Sequence, residues 1–185
     1  MSLFLIISIV WVISEILLGR AKISTDKSKD KDKSSLRILW ITIILSVVAG
    51  ITIRISGVGI IATSPQFIHN LGLILIILGL IVRLIAILKL KSMFTVNVAI
   101  QENHKIVKSG IYDTIRHPAY LGSLLSFLGL GIAFVNWLSI IIIFIPVLLS
   151  FINRIQVEEK VLIEEFGEEY LNYSNNTYRL FPRIY

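Results

Sequence analysis

Five apolar stretches separated by polar breaks set the outline of this chain. A helix crosses the hydrocarbon core of a bilayer with about 20 mostly apolar residues. The first candidate covers about 1–19, MSLFLIISIVWVISEILLG, the second about 37–56 and the third about 67–88. The fourth and fifth share 118–152, where Asn136 is the only break. One helix over all of 118–152 is far too long for a single crossing, so the stretch predicts a tight helical hairpin, 118–135 and 137–152. Pro146 is expected to kink the fifth helix, which a bundle tolerates. No basic region precedes the first stretch and no small-residue cleavage site follows it, so it predicts an anchor rather than a signal peptide. The expected fold is all-α and integral to the membrane, one domain over 1–185.

The polar connections are unequal. AKISTDKSKDKDKSS, between the first two stretches, is low in complexity and buries nothing, so it predicts a solvated loop. It either sets topology or touches anionic lipid. Longer polar segments follow the third stretch, 89–117, and the fifth, 153–185. Every Lys and Arg except Arg54 falls on or toward the side shared by these three segments. Basic loops stay in the cytoplasm, so the N-terminus is expected outside and the C-terminus inside. All the polar material fit for chemistry then lies on the cytoplasmic side.

Composition narrows the function classes. Charged residues make up 16% of the chain against about 25% in soluble domains, and 55% are hydrophobic. No length remains for a soluble catalytic domain beside the membrane part, and disorder and coiled coil are excluded. Cys is absent, which removes disulfides, thiolate zinc sites and cysteine nucleophiles. The net charge of +6 matters through its placement.

Three clusters are candidates for chemistry. Arg116-His117-Pro118-Ala119-Tyr120 opens the fourth stretch. Pro suits the first helical position and bends the residue before it out of helical geometry, which puts His117 on a junction at the membrane surface. The cluster is either an interfacial anchor or an anion-binding helix start. Arg154 and Glu158, four apart, share a helical face as the chain leaves the fifth stretch, with Glu159 beside them. They are either a surface salt bridge or a binding pair. Apolar Ile155, Leu162 and Phe166 keep a stripe that docks on the bundle. The third cluster is the loop around Gln101, His104-Lys105-Ile106-Val107 and Ser109-Gly110-Ile111-Tyr112, which predicts a short packed segment and a turn. Arg83 lies inside the third stretch and faces the bundle or snorkels; Glu15 is expected to snorkel and His69 to be interfacial. Gly122, Ser126 and Gly129 predict close helix packing. No P-loop, HExxH or GxSxG motif is present, and three scattered His make a zinc site improbable.

Taken in order, these blocks resemble the isoprenylcysteine carboxyl methyltransferase family of integral-membrane, S-adenosylmethionine-dependent enzymes, which has phospholipid methyltransferase relatives. The resemblance runs from about Gly79 to the C-terminus. Its blocks are Arg83-Leu84 with Ala86, Met93-Phe94-Thr95, and His104 through Tyr112 against HxLVxSGxY. Arg116 through Gly122 follows against RHPxYxG, then Arg154 with Glu158-Glu159. Phe166 through Tyr173 against FGEEYxxY and the Arg179–Pro182 ending complete the series. The resemblance implies a helical bundle whose cytoplasmic loop and tail close over the methyl donor. It implies donor contacts from Gln101, His104, Lys105, Ile106, Val107, Tyr112, Arg116, His117, Pro118, Ala119, Tyr120, Glu158 and Glu159. It puts Arg154, with Arg83, on the acceptor, and makes Arg154 and Glu158 the catalytic pair. The implied reaction forms a methyl ester and S-adenosylhomocysteine with no metal.

The chemistry of the residues agrees. A prenyl-cysteine has a lipid tail and an anionic head, which an apolar bundle and an interfacial Arg suit. Glu158 suits the donor's positive groups, Tyr112 and Tyr120 offer aromatic faces to a sulfonium, and the helix start at Pro118 receives a carboxylate. An ionised carboxylate needs no general base, so catalysis is mostly positioning and exclusion of water. The expected partners are a lipophilic substrate arriving from the bilayer and membrane lipid, with no nucleic acid. The rival readings are a phospholipid or other small-molecule methyltransferase on the same scaffold, a non-enzymatic membrane scaffold, and a reductase relative using a nicotinamide cofactor.

Overall fold

The computed structural model describes residues 3–21, 30–32, 34–94, 98–99 and 105–182. Helix α1 spans Leu3–Ala21, α2 Ser34–Ser56, α3 Pro65–Leu90, α4 Pro118–Ala133, α5 Trp137–Phe166 and α6 Glu168–Asn175. Each of the five apolar stretches carries one of the first five helices. Helices α2, α3 and α5 are long and apolar enough to cross a membrane; α1 has an apolar part over Leu3–Ile16, and α4 is shorter. Helix α5 continues through Pro146 and well past the last apolar turn.

Local chemistry sets the helix boundaries. Pro65 and Pro118 stand at the start of α3 and α4, where a missing N–H costs nothing. Asn136 makes the hairpin: its side chain accepts from Ser139 N at 3.0 Å, capping α5, and donates to Val58 O at 2.6 Å. That second bond ties the hairpin to the loop joining α2 and α3. Gly167, at φ +52°, sits between α5 and α6, a conformation that costs a residue with a Cβ.

The bundle is built outward from α3 and α4, which pack along their glycines. A Cβ on Gly122 would lie 2.6 Å from Arg83 N and from Gly79 O, and one on Gly129 would lie 2.7 Å from Gly72 O. Only residues without a side chain let the two backbones approach this closely. Helix α5 packs on both α4 and α2, with Ser139 Oγ donating to Gly50 O across the α2 contact at 2.9 Å. Helix α1 touches the rest chiefly through α3 and through Trp11, whose ring meets Phe127 edge-on at 4.9 Å. Exposed Ile and Leu side chains line the outer faces of α1, α2 and α3, as lipid contact requires.

Two expectations change, for Glu15 and the lysine-rich run, and His69 gains a partner. Glu15 does not snorkel: its carboxylate meets Arg83, with Nη2 at 2.8 Å from Oε2 and Nε at 2.7 Å from Oε1. Pairing across the bundle neutralises both charges where lone ones would be costly. His69 is half-buried, its Nδ1 2.7 Å from Ala133 O, because the start of α3 packs on the end of α4. Part of the lysine-rich run is not loop. Asp30–Asp32 (β1) pairs antiparallel with Val98–Ala99 (β2), which joins the run to the segment after α3. A backbone ladder needs no apolar side chains, so composition did not exclude it.

Candidate active site

The site begins at the bent junction before α4. His117 has φ −121° and ψ 55°, outside helical geometry, as the following Pro118 demands. The chain on either side is paired with the tail. Arg116 N donates to Tyr178 O at 2.8 Å, His117 N to Arg179 O at 3.1 Å, and Tyr178 N to Thr114 O at 2.9 Å. Residues 178–179 therefore lie as a strap along 114–117.

Charged side chains lock the strap. Glu159 Oε1 accepts from Arg116 Nε at 2.9 Å and faces His117 Nε2 at 3.2 Å, while Oε2 accepts from Arg179 Nε at 2.8 Å. Arg116 Nη1 donates to Ser174 O at 2.7 Å and also to Thr177 O. Arg116 and Glu159 are thus held by protein on several sides. Glu158, one residue earlier on α5, points elsewhere: its Oε2 accepts from Tyr120 OH at 2.6 Å and lies 3.9 Å from His117 Nδ1. The His117 and Tyr120 rings stack at 5.6 Å and 11°. His117 is 5% exposed, whereas the Glu158 side chain keeps 30% of its surface open. The result is an aromatic face beside an accessible carboxylate, the donor set a sulfonium cation bearing an amino-acid end requires.

The loop contributes a second wall. Tyr112, in a 3-10 turn over Gly110–Asp113, is buried with Ala86, Phe94 and Ala119 and packs against Val107. Its hydroxyl donates to Ala86 O at 3.3 Å, and Tyr173 OH donates to its backbone oxygen at 2.6 Å. Burial, reinforced by the Glu158 charge, pushes the Tyr112 phenol above its ordinary range. Burial pushes Tyr173 up to about 12, although Arg116 pulls the other way. Both hydroxyls stay protonated near neutral pH and serve as donors. Ile106 is half-buried and Lys105 exposed. Gln101 and His104 lie outside the described residues.

On the other side of Tyr120 is a cavity of about 680 Å³ between α1, α2 and α4. Its walls are mostly Ile, Leu, Val, Trp and Phe; its charged groups, Glu15, Arg83 and Arg154, meet it at one end with Tyr120, while Ser8 lines it nearer the other. Arg154 is 1% exposed and its Nη1 donates to Ser35 Oγ at 2.7 Å. The surface salt bridge weighed for Arg154 and Glu158 is therefore not their arrangement: Glu158 engages Tyr120, and Arg154 turns into the bundle. Arg83 reaches the same cavity end, with its charge met by Glu15 and Nη1 donating to Ala119 O at 3.2 Å.

Sequence reasoning brought together Tyr112, His117, Tyr120, Arg154 and Glu158, which converge here. It missed Ser35, hidden in a low-complexity run that carries no signal. It gave Arg179 no role, although the arginine–proline ending flagged it. It also missed Glu15, whose partner lies 68 positions away.

Known proteins match this chain in sequence and in fold. The model of the isoprenylcysteine carboxyl methyltransferase family matches residues 72–164. A protein-S-isoprenylcysteine O-methyltransferase of Saccharomyces cerevisiae is 39% identical over 107 residues, covering 57% of this chain and 45% of the relative. Protein-S-isoprenylcysteine O-methyltransferase B of Arabidopsis thaliana is 37% identical over 110 residues, covering 58% of this chain and 56% of the relative. The chain thus spans about half the length of these curated relatives. The solved structure of a eukaryotic intramembrane Ras methyltransferase, an isoprenylcysteine carboxyl methyltransferase, matches with a TM-score of 0.61 at 27% identity. That match covers 83% of this chain and 54% of the other, and with it the all-α fold is that of an integral membrane protein.

Proposed function

The chain belongs to the isoprenylcysteine carboxyl methyltransferase family, and on that premise we propose that it methylates the carboxylate of a prenylated cysteine or a similar lipophilic thioether acid, with S-adenosylmethionine as donor. One observation carries the reading. Tyr120 is a shared wall, with its hydroxyl on Glu158 in the polar site and its ring on the apolar cavity that ends at Arg154. A cation site and an anion-plus-lipid site meet at one side chain, as direct transfer between two bound molecules requires.

The donor supplies an electrophilic methyl group. Glu158 holds the donor's positive end, and the stacked His117–Tyr120 pair offers its aromatic face. Tyr112 and Val107 close that side, with Gln101, His104, Lys105, Ile106, Pro118 and Ala119 assigned there by family motif. Arg154 clamps the acceptor carboxylate, and Arg83, balanced by Glu15, shapes the same end. An ionised carboxylate attacks without losing a proton, so neither a base nor a metal is assigned. Arg116, Glu159 and Arg179 hold the tail strap over the junction and keep water out. This end of the bundle faces the cytoplasm in the proposed topology, with the N-terminus outside.

The donor assignment is tested by calorimetry with S-adenosylmethionine on purified protein. Glu158→Ala is expected to weaken binding about tenfold or more, the loss of a charge-assisted hydrogen bond. Unchanged affinity removes Glu158 from the donor site.

A further inference from the structure

Two arginines and one glutamate meet at the polar end of the cavity. Among the described residues Arg83, Arg154 and Glu15 are the charged side chains that line it, two positive charges against one negative. Helix α1 fixes Glu15 in place. One turn earlier, Trp11 is buried in the core with its ring against Phe127, which sets the rotation of the helix. Arg83 is held from the other side. Its backbone packs on α4, where a Cβ on Gly122 would lie 2.6 Å from its N, and its Nη1 donates to Ala119 O at 3.2 Å, next to Tyr120. Both carboxylate oxygens of Glu15 meet this one guanidinium, at 2.8 Å and 2.7 Å. A tie that only joined α1 to α3 has no need of a cavity wall, yet both side chains stay partly open on this one. Glu15 also lies outside residues 72–164, which the family model matches, so family motifs give it no role.

We propose that Glu15 selects the charge of the acceptor's head group, by cancelling Arg83 so that the pocket takes one negative charge and resists two. The inference rests on the methyl-transfer reading above and adds head-group selection to it. Away from water a charge is matched or excluded, because an unmatched one is costly. With Glu15 in place the three side chains carry one net positive charge, the complement of one carboxylate. Without it they carry two, the complement of a phosphate monoester, which bears close to two negative charges above neutral pH. That difference of one charge is the same whatever else Arg154 bonds. Glu15 is thus a positioning residue: it acts through Arg83, and its own charge opposes a second negative charge on the occupant.

The test is competition against methyl transfer to N-acetyl-S-farnesyl-cysteine, with the full chain in lipid nanodiscs at about pH 8, where a phosphate monoester has lost its second proton. The competitors are 2-(farnesylthio)ethyl sulfate and 2-(farnesylthio)ethyl phosphate, which share a tail and a tetrahedral head and differ by one charge. The unsubstituted protein is expected to bind the sulfate about threefold or more tighter than the phosphate. Glu15→Gln is expected to reverse the order, the phosphate gaining about tenfold or more relative to the sulfate. Glu15→Asp keeps the charge and is expected to keep the preference for sulfate. A merely structural tie between α1 and α3 moves both competitors together and leaves their ratio alone. The unsubstituted protein and Glu15→Asp carry the test even where Glu15→Gln does not fold. An active protein without the sulfate preference, or one whose ratio Glu15→Gln leaves unchanged, overturns the charge selection alone. A protein that does not methylate the farnesyl-cysteine overturns the underlying reading as well.

Discussion

Arg154→Ala is expected to cost methyl transfer roughly 10²-fold or more in kcat/KM with the bundle still folded. A hydrogen bond to a charged group contributes roughly 1.5–3 kcal/mol, and a guanidinium gives a carboxylate two of them. Removing both also lets the reacting oxygen drift from its line with the methyl group. The truncated side chain leaves its space to the existing cavity rather than to a closed core, so helix packing suffers little. Donor affinity is expected to hold, because Glu158 and the ring pair are untouched. Arg154→Lys keeps the charge without the planar fork and is expected to recover only part of the activity. The measurement is steady-state kinetics on a prenyl-cysteine, with donor binding in parallel. Wild-type kcat/KM in Arg154→Ala removes it from the acceptor site.

Glu159→Gln is expected to act on stability. Its carboxylate answers Arg116, His117 and Arg179 at once, and Arg116 and Glu159 are each 8% exposed. Removing one partner of a buried pair costs about 3–5 kcal/mol, because the cations left behind are uncompensated. Arg179 is more exposed, so the low end applies. For a chain of this size that is a fall in Tm of roughly 6–12 °C. The strap at 178–179 is expected to loosen with it, read as faster proteolysis of the tail. Glu169→Gln is the control. Its pair with Lys108 is 43% and 58% exposed, and its loss is expected to leave Tm unchanged within error. Equal effects from the two substitutions contradict the role given to Glu159.

The legible part of this structure was the part written in short-range pattern. Helices fell where apolar runs fell, and their ends fell at Pro118 and Asn136, because a missing N–H or a side-chain cap acts within one turn. The small residues of α4 announced a close contact, and the partner glycines at 72 and 79 supplied it. The ordered motif blocks pointed to the residues now grouped around Tyr120. What stayed hidden depends on which helix meets which. Nothing local pairs Glu15 with Arg83, sets Ser35 on Arg154, or gathers Arg116, Glu159 and Arg179 into one network. Arg154 and Glu158, four apart on one helix, looked like partners until packing gave them different neighbours, Ser35 and Tyr120. The division proposed between a positioning carboxylate and a binding one, on adjacent residues of α5, rests on tertiary contacts.

The central claim is that a lipid-tailed carboxylate and a methyl donor meet at Tyr120. It is tested most directly by incubating purified protein with donor carrying a labelled methyl group, a farnesylated cysteine analogue and an ethanolamine phospholipid together. The account predicts label in the cysteine analogue as a base-labile methyl ester, lost in Arg154→Ala. Label on the ethanolamine nitrogen instead, or in neither molecule, contradicts it.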